Sequence, residues 1–281
     1  MISVVTVNYK TMDYTLRMLE SLFLHHSKED VEVFVVENAS GDPVLELSER
    51  FPQVRLIQTQ ENLGFAGGCN QAIRQAKGDF IILVNPDILF ENDALFQIVD
   101  KMNHSSDIGI GGISLKNLDG TQQACVWSFP QPLDQLLLLF KIPHLFSNIR
   151  SLKRWLMTDF DYRQSSDVDQ VMGAFFCVRR QLIEEIGMLD NGFFMWYEEV
   201  DFCQRAKNAG WRIHYYADIQ TKHKKGASFD QVATIKKQSM LRRSIRRYMF
   251  KHYGVSTGIV FLILEPLFWM MSLLASVIKP Q

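Results

Sequence analysis

Three carboxylates stand close together in the second half of the chain, where Glu198, Glu199 and Asp201 follow the aromatic segment 194–197. Acidic residues in the first turn of a helix are stabilised by its free N–H groups and by its dipole. Aromatic neighbours exclude water and raise the pKa of a carboxyl group, which tunes it as a general base. The alternative is a solvated helix start with an Asp201–Arg205 pair, and this segment alone does not decide between them.

A glycine-rich segment, Asn62 to Asn70, leads into a helix predicted near 66–77. Its glycines permit positive φ angles and a close approach of the backbone to a ligand. The helix N-terminus that follows suits an anion such as a pyrophosphate. The segment lacks the G-x-G-x-x-G spacing of a dinucleotide fold. The alternative is a tight turn with close helix packing.

Asn85-Pro86-Asp87 follows a predicted buried strand, and the proline biases Asn85 towards an extended conformation. Asp87 is thereby presented at the end of the strand, where one carboxylate can hold a divalent cation beside substrate phosphates. The alternative is an ordinary turn cap. His223 follows a short strand much later in the chain, and a neutral imidazole would complete a Mn²⁺ or Mg²⁺ site if the fold brings it to Asp87.

Short apolar segments alternate with amphipathic helices in the first half. Strands are predicted over 2–8, 31–36, 54–58 and 80–84. This alternation indicates βαβ units and a parallel sheet that is buried on both faces. Such sheets bind ligands at the carboxyl ends of their strands, and the polar loops that start at Asn8, Glu37, Asn62 and Asn85 all lie there.

The second half is less regular. The segments 108–115 and 121–127 flank an Asn117–Gly120 turn and predict a hairpin, whereas 128–168 has no clear period. The later pattern predicts a strand within 168–179, a helix over 198–209 that stops at Gly210, strands near 212–216 and 219–222, and a basic helix over 230–252.

Composition limits the functional classes. The chain has 281 residues, of which 47% are hydrophobic and 22% charged, as expected for one large globular domain with or without an appendage. Its formal net charge of −1 gives no basic field, so nucleic acid is not an expected partner. The four cysteines are far apart and indicate reduced, cytosolic thiols, and the N-terminus lacks the features of a signal peptide.

We divide the chain into a catalytic domain, 1–230, and a basic helix with an apolar tail, 231–281. The stretch 258–278 is apolar except for Glu265, which stands beside Pro266. Its length is close to the ~20 residues that span a bilayer, but a central charge and a proline favour a shallow or re-entrant helix pair. Together with the basic helix, this predicts a peripheral or re-entrant anchor on the cytoplasmic face of the cell membrane. The alternative is a tail that packs on the catalytic domain or on a partner chain.

Taken together, residues 2–230 resemble the family 2 inverting glycosyltransferases, in particular the bacterial rhamnosyltransferase-like branch. The resemblance rests on five motifs in order: the strand 5–9, the segment 35–42, the glycine loop 62–70, Asn85-Pro86-Asp87 at the Asp-x-Asp position, and 187–201. Two positions depart from the family pattern, because Glu37 and Glu199 each replace an aspartate. His223 matches the metal- and diphosphate-contacting histidine.

The resemblance implies an A-type glycosyltransferase fold, with a Rossmann-like, mostly parallel α/β sheet flanked by helices and followed by a C-terminal helical appendage. It implies that Glu199 is the catalytic base, with Glu198 as the next candidate, and that Asp87 and His223 hold Mn²⁺ or Mg²⁺. The substrate-binding residues that we expect from the motifs are Thr6, Asn8, Glu37, Asn62, Gly64, Phe65, Asn70, Asn85, Asp87, Asp190 and Trp196.

The function implied is inverting transfer of a sugar, such as rhamnose from dTDP-rhamnose, to a hydroxyl of a surface glycan or lipid-linked acceptor at a membrane. A sugar nucleotidyltransferase would show a glycine-rich, basic signature near its N-terminus, and this chain has none. A non-catalytic nucleotide-sugar-binding or scaffold protein on the same fold is the other alternative. The joint presence of Asp87, Glu199 and His223 argues against it.

Overall fold

The computed structural model describes residues 1–26, 31–144, 146, 148–224 and 234–278. Strands and helices alternate in the first half, as the sequence predicts. The strands there are β1 (Ile2–Asn8), β2 (Val31–Glu37), β3 (Arg55–Gln58), β4 (Phe80–Val84) and β5 (Ile88–Leu89). The helices there are α1 (Met12–His25), α2 (Leu45–Arg50), α3 (Gly64–Ile73) and α4 (Ala94–Asn103).

The second half supplies the rest of the sheet and most of the remaining helices. Its strands are β6 (Ile108–Lys116), β7 (Val126–Trp127), β8 (Ser166–Asp167), β9 (Gln170–Val171), β10 (Phe175–Arg179) and β11 (Arg212–His223). Its helices are α5 (Pro132–Leu139), α6 (Arg150–Leu156), α7 (Arg180–Ile186), α8 (Glu198–Asn208), α9 (Thr234–Ile263) and α10 (Glu265–Ile278), with a 3₁₀ turn at Ile142–His144.

Within the described residues, the main sheet has the order β3-β2-β1-β4-β10-β6-β11-β5, with β8 added beside β11. Strands β3, β2, β1, β4, β6 and β11 run in one direction, and β10 runs against its neighbours β4 and β6. The apolar runs of β1 and β4 are buried along their whole length because helices cover both faces. The mostly parallel α/β sheet expected from the sequence is therefore present.

The predicted hairpin between 108–115 and 121–127 is wrong. Strand β6 is buried and already has β10 on one side and β11 on the other, so no edge remains for a hairpin partner. Only Lys116 and Gln122 bridge across the turn, and β7 instead pairs with β9 in a separate two-stranded sheet. The two short strands predicted near 212–216 and 219–222 form one strand, β11, with an irregularity between Tyr216 and Gln220.

The C-terminal helices share a hydrophobic cluster with the segment that precedes α8. Helix α9 is interrupted at Gly254, whose φ is 85°, and α10 then folds back on it. The buried members of this C-terminal cluster are Leu139, Phe193, Tyr197, Val200, Ile245, Tyr248, Met249, Phe261 and Phe268. The tail thus packs on the catalytic region, which is the alternative considered beside a membrane anchor. Part of its apolar surface stays exposed.

Among the described residues, no single helix combines the length and the apolar composition needed to cross a bilayer. The pair 235–263 and 265–273, which is bent by 50°, meets both criteria together.

Candidate active site

The ends of β1 and β2 bring two predicted donor-binding residues side by side, since Asn8 and Glu37 are paired in the parallel register. The Asn8 side chain donates to Asp42 Oδ2 over 2.8 Å, and Glu37 Oε1 accepts from the backbone N–H of Ser40 at 2.7 Å. Both side chains therefore shape the loop after β2. Thr6 lies two residues earlier in β1 and is buried, and its contact with a donor stays a prediction.

The glycine loop is joined both to β2 and to the segment before α8. Asn38 donates to Asn62 Oδ1 and to the Gly64 carbonyl, each over 3.1 Å. The N–H of Phe65 donates to the Phe194 carbonyl over 3.0 Å, and Gly64 has a φ of 72° directly against Phe194. Left-handed backbone and close approach both require glycine here. Asn62, Gly64 and Phe65 therefore connect the predicted donor loop to the predicted catalytic segment.

Asn70 makes a second connection of the same kind from α3. Its side-chain amide donates to the Leu189 carbonyl over 2.8 Å and to Asn191 Oδ1. The side chain is buried, so it anchors the 189–191 turn. Any contact of Asn70 with substrate stays a prediction.

Helix α8 begins after two strained residues. Trp196 and Tyr197 have φ angles of 62° and 71°, a left-handed conformation that costs about 1–3 kcal/mol for each bulky residue. Surrounding groups hold this turn: Tyr197 donates to Gln135 of α5 and packs edge-on against Tyr248 of α9, and Ser244 donates to the Met195 carbonyl over 2.8 Å. The strain fixes the direction in which α8 leaves and therefore where its first carboxylates lie.

Those carboxylates are Glu198 and Glu199, and both are tuned by burial. Burial, followed by repulsion from Glu199, raises the pKa of Glu198 well above its usual range. Burial also raises the pKa of Glu199, while backbone N–H groups at the start of α8 lower it in part. Glu198 is buried and Glu199 is half-buried, and two adjacent carboxyls in such a setting cannot both ionise easily.

Glu199 lies at the end of the β4–β10 pair. A Cβ atom on Gly173 would touch the Glu199 side chain at 3.7 Å. The adjoining Ala174 accepts a hydrogen bond from the Asn85 backbone N–H over 2.9 Å. Asn85 thus connects the predicted base to the Asn-Pro-Asp turn through the backbone, two residues before Asp87.

Asp87 and His223 meet although 136 positions separate them in the sequence. Strand β11 pairs with β5 so that His223 faces Ile88, and His223 Nε2 lies 3.2 Å from Asp87 Oδ1. Octahedral metal–ligand bonds of 2.0–2.1 Å place neighbouring donor atoms about 3.0 Å apart. The pair therefore fits two adjacent positions of a Mg²⁺ or Mn²⁺ shell. Within the described residues no third His, Cys, Asp or Glu completes such a group, so the other ligands would be substrate oxygens and water.

Helix α9 forms ion pairs with two aspartates of the catalytic segment. Lys251 Nζ lies 2.8 Å from Asp190 Oδ2 and 2.7 Å from the buried Asp201 Oδ1, which also accepts from His252 at 2.8 Å. Arg247 adds a second cation to Asp190. Burial opposes ionisation of Asp190, but bonds from Lys251, the Gly192 N–H and Arg247 lower its pKa to about 2. The predicted substrate contacts of Asp190 and Trp196 stay predictions.

Residues 3–160 match the sequence profile described as Glycosyl transferase family 2. The chain belongs to this family. An N-acetylglucosaminyl-diphospho-decaprenol L-rhamnosyltransferase of Mycobacterium tuberculosis is 26% identical over 243 residues, which cover 80% of this chain and 76% of that protein. The rhamnosyltransferase WbbL of Escherichia coli K12 is 24% identical over 232 residues, which cover 79% and 83%. This family 2 enzyme is a glycosyltransferase of rhamnosyltransferase-like sequence.

Solved structures confirm the A-type glycosyltransferase fold. The mannosyltransferase PcManGT of Pyrobaculum calidifontis, solved with GDP-Man and Mn²⁺, matches with a TM-score of 0.59 at 16% identity, over all of this chain and 76% of that one. Residues 1–349 of Staphylococcus aureus TarS in complex with UDP match with a TM-score of 0.55 at 19% identity, over 88% and 65%. The family 2 sequence thus carries the expected fold.

Proposed function

We propose that this glycosyltransferase transfers a deoxyhexose, rhamnose from dTDP-rhamnose, to a hydroxyl of a surface glycan or lipid-linked acceptor, with inversion at the anomeric carbon. The observation that carries the proposal is the adjacent pair of the buried Glu198 and the half-buried Glu199, set beside the edge of the sheet where Asp87 and His223 meet. The two relatives named above are rhamnosyltransferases, which supports the choice of sugar.

Glu199 acts as the general base. A sugar that leaves a nucleoside diphosphate passes through an oxocarbenium-like state, and the acceptor hydroxyl must lose its proton on the opposite face. Glu199 stands at the position that matches the family's catalytic base, and it is half-buried whereas Glu198 is buried, so it is the carboxylate that an acceptor hydroxyl can reach. A single base without a nucleophilic carboxylate across the donor fits one displacement and therefore inversion.

The departing diphosphate needs positive charge. Asp87 and His223 would hold a divalent cation, Mn²⁺ or Mg²⁺, and such an ion neutralises charge on the leaving oxygens. The side chains of Asn8 and Asp42 shape the neighbouring loop, which lies where the family binds the nucleotide base. These residues bind and orient the donor, and Glu199 takes the proton from the acceptor.

We also propose that the enzyme docks on the cytoplasmic face of the cell membrane. Within the stretch 255–270 of α9 and α10, eight apolar residues are between 44% and 69% exposed: Val255, Ile259, Val260, Leu262, Ile263, Leu267, Trp269 and Met270. Glu265 does not interrupt this apolar surface as a free charge, because Arg242 and Arg246 neutralise it at 2.9 and 3.0 Å. A shallow insertion of this surface fits a bilayer interface, and the exposed Lys236 and Arg243 of α9 favour an anionic leaflet.

The decisive experiment compares Glu199→Gln with Glu198→Gln. A screen of nucleotide sugars by thermal shift with Mn²⁺ first identifies the donor. Glu199→Gln keeps the shape but removes the base, so turnover should fall by about 10²–10⁴-fold while the donor-induced shift persists. Glu198→Gln should lose much less turnover. Near wild-type turnover of Glu199→Gln would show that another group is the base, and an NMR coupling constant of the product that matches retention would refute inversion.

A further inference from the structure

Gln123 holds His223 from two sides, although it lies outside every motif in the sequence. It is 4% exposed and follows the Asn117–Gly120 turn. Its Nε2 donates to the His223 carbonyl over 2.6 Å, and its Oε1 lies 2.9 Å from His223 Nδ1. The backbone and the ring of His223 are therefore fixed by one amide.

The orientation of that amide is determined by a directed chain of hydrogen bonds. Gln123 Nε2 also donates to Asn117 Oδ1, the Asn117 amide donates to Thr121 Oγ1, and the Thr121 hydroxyl donates to Asp119, each over 2.7 Å. The Asp119 carboxylate only accepts, so every donor in the chain points towards it. A flipped Gln123 would set its oxygen against the oxygens of Asn117 and His223. The Gln123 oxygen therefore faces the His223 ring.

It follows that Nδ1 of His223 must carry a hydrogen. In the neutral ring the other nitrogen, Nε2, then has a lone pair that points at Asp87 Oδ1, 3.2 Å away. Two acceptors at this distance repel unless a proton or a metal cation lies between them, and within the described residues Nε2 has no hydrogen-bond partner. We propose that Gln123 is a positioning residue, which selects the Nδ1–H form of His223 so that Nε2 and Asp87 together bind a divalent cation.

The cation-binding half of this inference rests on the proposed function, whereas its tautomer half rests on the hydrogen bonds alone. Partners of metal-binding histidines on the opposite ring nitrogen are commonly worth about 10–100-fold in metal affinity. Gln123 would act in this way because it orients the ring and, in the neutral form, leaves the lone pair on Nε2. Gln164 offers a control, because its exposed side chain donates to Asp161 and not to Gln123 or His223.

The test has two readouts, and neither needs turnover. Long-range ¹H–¹⁵N NMR of the metal-free protein at about pH 9, where imidazoles are neutral, reports the tautomer, and His223→Asn assigns the signal. Titration with Mn²⁺, followed by the EPR signal of the free ion, reports affinity. We expect an Nδ1–H ring in the wild type, a loss of this preference in Gln123→Leu, and a Mn²⁺ Kd that rises about 10–100-fold. Gln164→Leu should keep both wild-type values.

Gln123→Glu is the second variant, because it retains an acceptor for Nδ1, and its ring should stay in the Nδ1–H form. An Nε2–H ring in the wild type would overturn the inference even if Mn²⁺ binds. So would an unchanged tautomer and an unchanged Mn²⁺ affinity in a folded Gln123→Leu protein. An Nδ1–H ring in a wild type that binds no Mn²⁺ would refute the metal part of the proposed function and would overturn the cation-binding half of the inference, while its tautomer half would stand.

Discussion

Gly64 and Phe194 lie in direct backbone contact, so that a Cβ atom on Gly64 would be 2.9 Å from Phe194 Cα and closer still to the Phe194 carbonyl oxygen. This contact joins the loop predicted to bind the donor to the turn that precedes Glu198 and Glu199. The two halves of the proposed site are therefore held at a fixed separation by the backbone itself.

Gly64→Ala should displace that turn. The added methyl group meets backbone atoms that cannot rotate away, in addition to the strain of a φ of 72°. Gly210→Ala is the matched control, since Gly210 has a φ of 90° but nothing within 4 Å of its Cβ position. Both variants should lose about 1 kcal/mol or more of unfolding free energy, but only Gly64→Ala should also lose at least about tenfold in turnover. Equal turnover in the two variants would disprove the coupling.

Glu198→Gln should stabilise the protein at alkaline pH. The pKa of Glu198 is raised in the folded state, so the folded protein binds more protons than the unfolded chain above about pH 4.5. Stability of the wild type therefore falls as pH rises from there through the raised pKa. The glutamine has no such proton to lose, and its melting temperature should exceed that of the wild type by at least about 2 °C at pH 8. The difference should vanish near pH 4, as calorimetry would show.

Lys251→Met should loosen the catalytic segment. It removes a cation that Asp190 and the buried Asp201 share. Hydrogen bonds to charged groups are worth about 1.5–3 kcal/mol, so the melting temperature at pH 7 should fall by several degrees. Because the pKa values of both aspartates are lowered, their stabilisation is present above about pH 4 and is lost as pH falls.

The gap between Lys251→Met and the wild type should therefore narrow towards pH 2. Lys236→Met, at an exposed position of the same helix, serves as the control and should leave both stability and hydrogen exchange of 193–201 unchanged. Faster exchange of that segment in Lys251→Met would report the loosening directly. Equal exchange rates in the two variants would count against it.

Trp269→Glu and Ile263→Glu should each weaken membrane binding. Both side chains are exposed, at 47% and 69%, within the apolar surface of α9 and α10. Loss of one buried apolar side chain is worth about 1.5–3 kcal/mol, or roughly tenfold or more in partitioning. Co-sedimentation with phosphatidylglycerol vesicles and, separately, with phosphatidylcholine vesicles measures this change in partitioning. Leu24→Glu, at a 79% exposed position on α1, should bind as the wild type does; a wild type that ignores both vesicle types would rule out docking.

The sequence predicted the position and direction of the strands well where periodicity and motif agree. The buried apolar runs of β1, β2 and β4 predicted a parallel sheet, and with it the common edge that collects Asn8, Glu37 and Asp87. The meeting of Asp87 with His223 was predicted from the family resemblance alone, because no local pattern relates residues so far apart.

Other features had no signal in the sequence. Gln123 is 100 positions from His223 and belongs to no motif. The left-handed pair Trp196–Tyr197 is imposed by packing against Gln135 and Tyr248, which overrides local preference. The hairpin prediction failed for the same reason, because β6 pairs on both sides with strands from distant parts of the chain.

The hydrophobic cluster that Phe261 and Phe268 share with Phe193 and Tyr197 has a practical consequence for anyone who shortens this protein to make it easier to purify. Removal of the apolar tail would uncover the side of the strained turn on which Tyr197 packs. A truncated protein would thus differ from the natural one in catalysis as well as in solubility. Exchange of the tail for that of a relative would have to carry the 193–200 segment with it, since the two pack in one hydrophobic cluster.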